Sequence, residues 1–93
     1  MIKSFADKNT EKVWNQQWIS QLPKEIQKIA FRKLVIIHRS VSLNDLRVPP
    51  KNLLEKLTGI REGQMSIRIN RQYRICFTWN NNDAYDVEIT DYH

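Results

Sequence analysis

Apolar residues recur along this chain with two different periods, and the change falls near the middle. Between Pro23 and Arg39, Ile26, Ile29, Ala30, Leu34 and Ile37 fall largely at three- and four-residue steps, with Lys33 and Val41 in the same series. That is the stripe of an amphipathic helix, and Lys24, Lys28 and Arg32 decorate another side of it. Pro23 suits a first helical position, where its missing N–H would be unpaired anyway, and Glu25 is favourably placed against the N-terminal dipole. The spacing predicts a helix from Pro23 to about Arg39. Upstream, Thr10 followed by Glu11 and Lys12 predicts the cap of a shorter helix whose apolar side carries Val13, Trp14 and Trp18. Met1 to Phe5 alternates apolar with polar and predicts an opening strand.

After Ser42 the helical period is lost, and Pro49-Pro50 excludes a helix or central strand as far as Lys51. Leu53 to Leu57 can form a strand, and Gly59 to Gly63 a turn. Three segments then alternate with period two: Met65 to Ile69, Tyr73 to Trp79 and Tyr85 to Ile89. Asn80-Asn81-Asn82-Asp83 is a strong turn signal between the last two. Strict alternation puts Met65, Ile67, Ile69, Tyr73, Ile75, Phe77, Trp79, Tyr85, Val87 and Ile89 on one face, beneath the helices. Ser66, Arg68, Arg74, Cys76, Thr78, Asp86, Glu88, Thr90 and Tyr92 then share an open polar face. The expected class is α+β: two N-terminal helices on one face of a small, mainly antiparallel sheet, as a single domain over residues 1–93.

Composition narrows the function classes. With 41% apolar residues the 93-residue chain is not of the disordered type. Fifteen Lys and Arg against ten Asp and Glu leave a charge of +5, which favours a polyanionic partner: nucleic acid, an anionic surface or an acidic protein. Cys76 is the single cysteine, which excludes an intrachain disulfide and a cysteine zinc cage. No apolar run reaches the roughly 20 residues that cross a bilayer, and the opening Met1-Ile2-Lys3-Ser4-Phe5-Ala6-Asp7 lacks the apolar core of a signal peptide. A soluble, cytoplasmic protein is expected.

Candidate chemistry collects on the polar face. Hairpins centred near Arg71 and Asn82 place Arg68 opposite Arg74 and Arg74 opposite Thr90, with Glu88 and Tyr92 diagonal to Arg74. Two guanidiniums facing across a ladder repel. Either Glu88 and Asp86 compensate them internally, or a phosphate does, held by the fork geometry of arginine. The chain ends Asp91-Tyr92-His93 beside Arg61, Arg68 and Arg74. Cutting RNA without a metal requires a base for the 2′-hydroxyl, cations for the phosphate and an acid for the leaving oxygen, and these residue types can fill those roles. Trp14, Trp18 and Trp79 could stack on bases, but their positions in the apolar pattern favour burial. Cys76 reads as structural, and His38 as a partner of the helix C-terminus.

The opening Met1 to Phe5, the loop Gly59-Ile60-Arg61-Glu62-Gly63, the block Ser66-Ile67-Arg68-Ile69-Asn70, the stretch Tyr73-Arg74-Ile75-Cys76-Phe77 and the closing Asp91-Tyr92-His93 together resemble HigB-type toxins of the RelE superfamily. The resemblance spans almost the whole chain in order. It implies a RelE-like fold and a metal-independent, cofactor-free endoribonuclease that cuts messenger RNA in the ribosomal A site. It also implies a HigA-type helix-turn-helix antitoxin as partner, with operator DNA bound only through that antitoxin. By the same resemblance Asp91, Tyr92, His93 and Arg74 are the catalytic candidates, while Arg68, Arg61, Lys56 and Arg47 are candidates for RNA or phosphate contact. One departure stands out: where some relatives carry a His and a Lys ahead of the loop glycine, this chain has Glu55 and Thr58. Lys56 and Arg61 are near but not equivalent, so a thinner basic complement and a slower enzyme are expected. Two other readings remain at this stage: a catalytically weak toxin-like protein that occupies the ribosome or represses transcription with an antitoxin, and a free-standing basic RNA-binding domain.

Overall fold

The computed structural model describes residues 1–91. Two helices, α1 (Lys8–Trp14) and α2 (Lys24–Arg39), precede a four-stranded sheet of β1 (Glu55–Lys56), β2 (Met65–Arg68), β3 (Tyr73–Asn80) and β4 (Asp83–Asp91). The strands follow one another in chain order and every neighbouring pair is antiparallel. The α+β class inferred from the change of period is therefore the observed one.

α2 forms where the stripe predicted it, with Ala30, Leu34 and Ile37 fully buried. They meet Ile67, Ile75, Phe77 and Val87 from the sheet in one core, and removing that much apolar surface from water is the main stabilising term. Pro23 is the cap residue and helical geometry starts at Lys24. Val41 falls beyond the helix end and is 72% exposed.

α1 departs from its expected form. Asp7, not Thr10, occupies the cap position. Thr10 is buried within the helix, where its Oγ1 accepts a hydrogen bond from Ile89 N at 3.0 Å and ties α1 to β4. The helix stops at Trp14, and Gln16 takes a positive φ of 60°. Trp18 consequently lies outside it and is 60% exposed, not buried on an apolar face as the pattern suggested. Trp14 does pack inward, among Phe5, Phe31 and His38. His38, a basic residue in the last turn of α2, also accepts a hydrogen bond from Ile2 N through Nδ1 at 3.1 Å, so it pins the opening segment as well.

That opening segment lies parallel to β4. Lys3 N donates to Ala84 O at 2.8 Å and Ala6 N to Val87 O at 3.0 Å, while Ala84 N and Val87 N donate back to Met1 O and Ser4 O. The Pro-containing stretch is irregular as expected, built from two 3-10 turns at Leu43–Arg47 and Pro50–Asn52. Asn52 is wholly buried there. Its Nδ2 donates to Leu46 O and Val48 O, and its Oδ1 accepts from Lys33 Nζ at 2.6 Å.

The sheet register corrects the simple alternation. Arg68 pairs with Arg74 and Arg74 with Thr90, as two symmetric hairpins require. Nearer the last turn, however, Thr78 pairs with Tyr85 and Trp79 with Ala84. The slip is absorbed by a bulge at Asp86, whose φ is 53°, since an extra residue in one strand reverses the side-chain parity beyond it. Ala84 therefore takes the buried position, and Tyr85 stands opposite Thr78 on the other face.

Candidate active site

The face of the sheet away from the helices is less open than alternation implies. At its centre Ser66, Arg74 and Cys76 are all buried, with Arg74 only 6% exposed. A guanidinium is stable in so dry a place only if its donors are met. Arg74 Nε donates to Ser66 Oγ at 2.8 Å, and Nη2 donates to Leu53 O at 2.7 Å. Glu55 Oε1 lies 3.3 Å from the same Nη2, on a side chain that is 48% exposed. β1 supplies this carboxylate because Glu55 pairs with Ser66, which is itself the cross-strand partner of Cys76. Leu53 adopts a left-handed φ of 45°, and its carbonyl is the one that accepts from Arg74.

Beside this pair stands a second one. Arg61, on the 3-10 turn Gly59–Arg61, places Nη1 3.1 Å from Glu88 Oε1 and 3.0 Å from Gln64 Oε1. Glu88 faces Cys76 across β3 and β4, so the loop of residues 59–63 is drawn over the same face. Among the described residues, only Arg74 of the two facing arginines is answered by a carboxylate, that of Glu55, while Glu88 answers Arg61. Cys76 Sγ lies 3.4 Å from Thr90 Oγ1 and is shut away from solvent, consistent with a structural thiol.

The remaining sequence candidates are placed differently. Arg68 pairs with Arg74, but its Nε donates to Asn70 O at 3.0 Å, and it also lines a groove at the end of the sheet. Lys56 pairs with Met65 and so shares the face of Met65, opposite to that of Glu55. Arg47 is exposed on the Leu43–Arg47 turn. Asp91 pairs with Tyr73 and lines a cavity of about 230 Å³ with Thr10, Leu22 and Ile89, on the helix side of the sheet. Its Oδ2 accepts from Gln72 Nε2 at 3.0 Å. Tyr92 and His93 lie outside the described residues.

Chemically, the face offers a buried guanidinium whose geometry is fixed by three neighbours, and an accessible carboxylate in contact with it. The carboxylate, on a side chain that is half exposed, can accept a proton. Sequence reasoning registered Glu55 only as a departure from its relatives. The signal that could have found it is strand pairing: a two-residue strand placed opposite Ser66 necessarily puts Glu55 on the face of Arg74.

Comparison with known proteins identifies the family. Residues 3–93 match the family described as RelE-like toxin of type II toxin-antitoxin system HigB. Toxin HigB-1 of Vibrio cholerae is 40% identical over 80 residues, covering 85% of this chain and 84% of the relative. Endoribonuclease HigB of Proteus vulgaris is 33% identical over 94 residues, covering both chains completely. Among solved structures, a chain of the YoeB-YefM complex from Staphylococcus aureus superposes with a TM-score of 0.62 at 22% identity, covering 100% of this chain and 98% of the other, and shows that the fold is shared. The chain belongs to the HigB-like family, the RelE-like toxins of type II toxin–antitoxin systems.

Proposed function

We propose that this chain is the toxin of a type II pair and an endoribonuclease that cuts messenger RNA in the ribosomal A site, in the cytoplasm, until a HigA-type antitoxin neutralises it. The observation that carries the reading is the Arg74–Glu55 pair on the face of the sheet away from the helices. Family membership and the name of the Proteus relative support it.

The reaction is an in-line attack. The 2′-oxygen of one nucleotide bonds to the adjacent phosphorus, and the bond from phosphorus to the 5′-oxygen of the next nucleotide breaks. The products are a 2′,3′-cyclic phosphate and a free 5′-hydroxyl. Glu55 takes the proton from the 2′-hydroxyl, a role open to it because its carboxylate is accessible and held in place by Arg74. Arg74 neutralises the charge that grows on the phosphate, and it is already fixed by Ser66 and Leu53, so little reorganisation is needed. Tyr92 and His93, catalytic candidates by the family resemblance, take the role that Glu55 leaves open, proton donation to the leaving oxygen. Asp91 acts as a positioning residue, holding the end of β4 to the turn at Gln72. Basic side chains that meet phosphates supply affinity for RNA, with operator DNA reached only through the antitoxin.

Primer extension on a reporter messenger RNA in a reconstituted translation system, with and without ribosomes, tests the reading. Cuts that require ribosomes and disappear in a Tyr92→Ala, His93→Ala double variant are the expected result. Translation blocked with no cuts would instead make the protein an occupant of the ribosome and not a nuclease.

A further inference from the structure

Away from the Arg74–Glu55 pair, five cations converge on one groove. It lies between α2 and the β2–β3 turn, has a volume of about 610 Å³, and is lined by Arg32, Lys33, Lys51, Arg68 and Arg71. Ile29, Ile36 and Ile69 contribute its apolar part, and no Asp or Glu is among the lining residues. Among the described residues none of these five forms an ion pair with a carboxylate; Arg61 and Arg74, by contrast, each do. Burial, and then the charge of Lys51, push the Lys33 ammonium below its ordinary range. Lys33 rests on the neutral amide oxygen of Asn52, where an acid would have been the better partner. Asn52 is wholly buried and bound to Leu46 O and Val48 O, so the turn that carries Lys51 is held firmly against α2.

Gathering like charges without an internal counter-ion raises the free energy of the folded state, and an external anion reverses that. We infer that this groove is a binding site for the sugar–phosphate backbone of RNA, separate from the Arg74–Glu55 centre. The inference rests on the reading of the chain as an RNA-acting toxin, and it adds where the strand is held. Three features select a backbone over a small free anion or a base. The cations come from three separate segments, so they can meet successive phosphates. No aromatic side chain lines the groove, so bases have nothing to stack on. Arg68 is shared: it lines the groove and is also the cross-strand neighbour of Arg74, so a strand crossing the Arg74 face continues into it. Binding here is insensitive to sequence and steeply sensitive to salt.

The test compares wild type with a Lys33→Gln, Lys51→Gln, Arg71→Gln variant and a control that loses equal charge elsewhere, Lys12→Gln, Lys24→Gln, Lys28→Gln. Fluorescence anisotropy is read on a 2′-O-methylated single-stranded RNA that cannot be cut, and co-sedimentation on vacant small ribosomal subunits. Losing three phosphate contacts should reduce the slope of log affinity against log salt by about 2 and weaken binding at least tenfold, whereas the control changes little. A Lys51→Gln, Arg71→Gln variant, changed only at exposed positions, gives a smaller loss of the same kind should the triple variant not fold. Loss on the oligonucleotide identifies a messenger strand, and loss confined to the subunits identifies ribosomal RNA. Unchanged affinity and salt slope on both ligands, or equal losses in the control, overturn the groove. Cleavage is scored separately in the translation system. A wild type that binds through the groove yet cuts nothing removes the nuclease reading and keeps the groove. A wild type that cuts, with a groove variant that binds unimpaired, does the reverse.

Discussion

The sheet face around Arg74 and the groove at its end are built from the same residue types and differ in how their charge is answered. On the face, Arg74 meets Glu55 and Arg61 meets Glu88, so each of these two guanidiniums has a carboxylate within 3.3 Å. In the groove, Arg32, Lys33, Lys51, Arg68 and Arg71 have no acid among the lining residues. A cation that already has a partner is positioned but partly neutralised, and a strand of RNA gains less from meeting it. A cation without one offers its whole charge. The face is thus suited to fixing reacting atoms and the groove to holding the strand, so basic residues picked from sequence need not share one task.

The sharpest way to break this division is Glu55→Gln. If the carboxylate is the base, cleavage falls by roughly 10²- to 10⁴-fold, with RNA affinity unchanged or slightly raised. If Glu55 merely mutes Arg74, its removal leaves the cutting rate unchanged or increases it. Single-turnover cleavage beside anisotropy on uncut RNA separates the outcomes. The experiment also decides how the departure from relatives should be read: as a deficit of cations, which predicts a slow enzyme, or as a different proton acceptor in the same place.

On the groove side the corresponding change is Asn52→Ala. It strips partners from the buried carbonyl of Leu46, the partly buried carbonyl of Val48 and Lys33. Leaving such groups unmet costs on the order of 2 kcal/mol of stability. Chemical denaturation should show that loss, and anisotropy a weaker hold on RNA at temperatures where the variant is still folded. A stability loss with unaltered RNA affinity would mean that Asn52 braces the turn without shaping the groove.

How far these regions could be read from the sequence differs as well. The periods of three to four and of two located α2, β2, β3 and β4, because burial of one face dictates those spacings directly. The pairing of Arg74 with Arg68 and Thr90 followed from hairpin symmetry alone. What escaped was whatever depends on a local break in regularity. The bulge at Asp86 returns Val87 and Glu88 to their expected faces while sending Ala84 inward and Tyr85 outward. The early end of α1 at Trp14 exposes Trp18. The groove escaped for another reason: its cations lie on α2, the Pro50–Asn52 turn, β2 and the turn after it, and no sequence window contains them together.

The bulge supplies a smaller test. Asp86 holds a φ of 53° that glycine adopts freely, so Asp86→Gly should stabilise by up to about 1 kcal/mol if relief of strain outweighs the added freedom of the unfolded chain. Its backbone N–H donates to Ser4 Oγ at 2.9 Å and is kept in the variant. An Asp86→Val change should do the opposite and, by straining the register, lower cleavage with it. Thermal melts of both, read with the cutting rate, show whether the geometry of the Arg74 face depends on this one residue.

The finest probe is pH, and it addresses the groove alone. Lys33 is held below its ordinary range by burial and then by Lys51. Between its folded value and the higher unfolded one, the unfolded chain binds more protons, so the Lys33 contribution to stability rises with pH through that alkaline window and is unfavourable below it. Lys33→Met should therefore flatten the alkaline end of the stability profile without touching its acid end. An RNA phosphate bound in the groove would act in the same direction as that variant, for a different reason: by favouring the charged ammonium it lifts the folded value back toward the unfolded one. Stability profiles recorded with and without the uncut RNA should then converge on the flattened shape at low salt and separate again as salt displaces the strand.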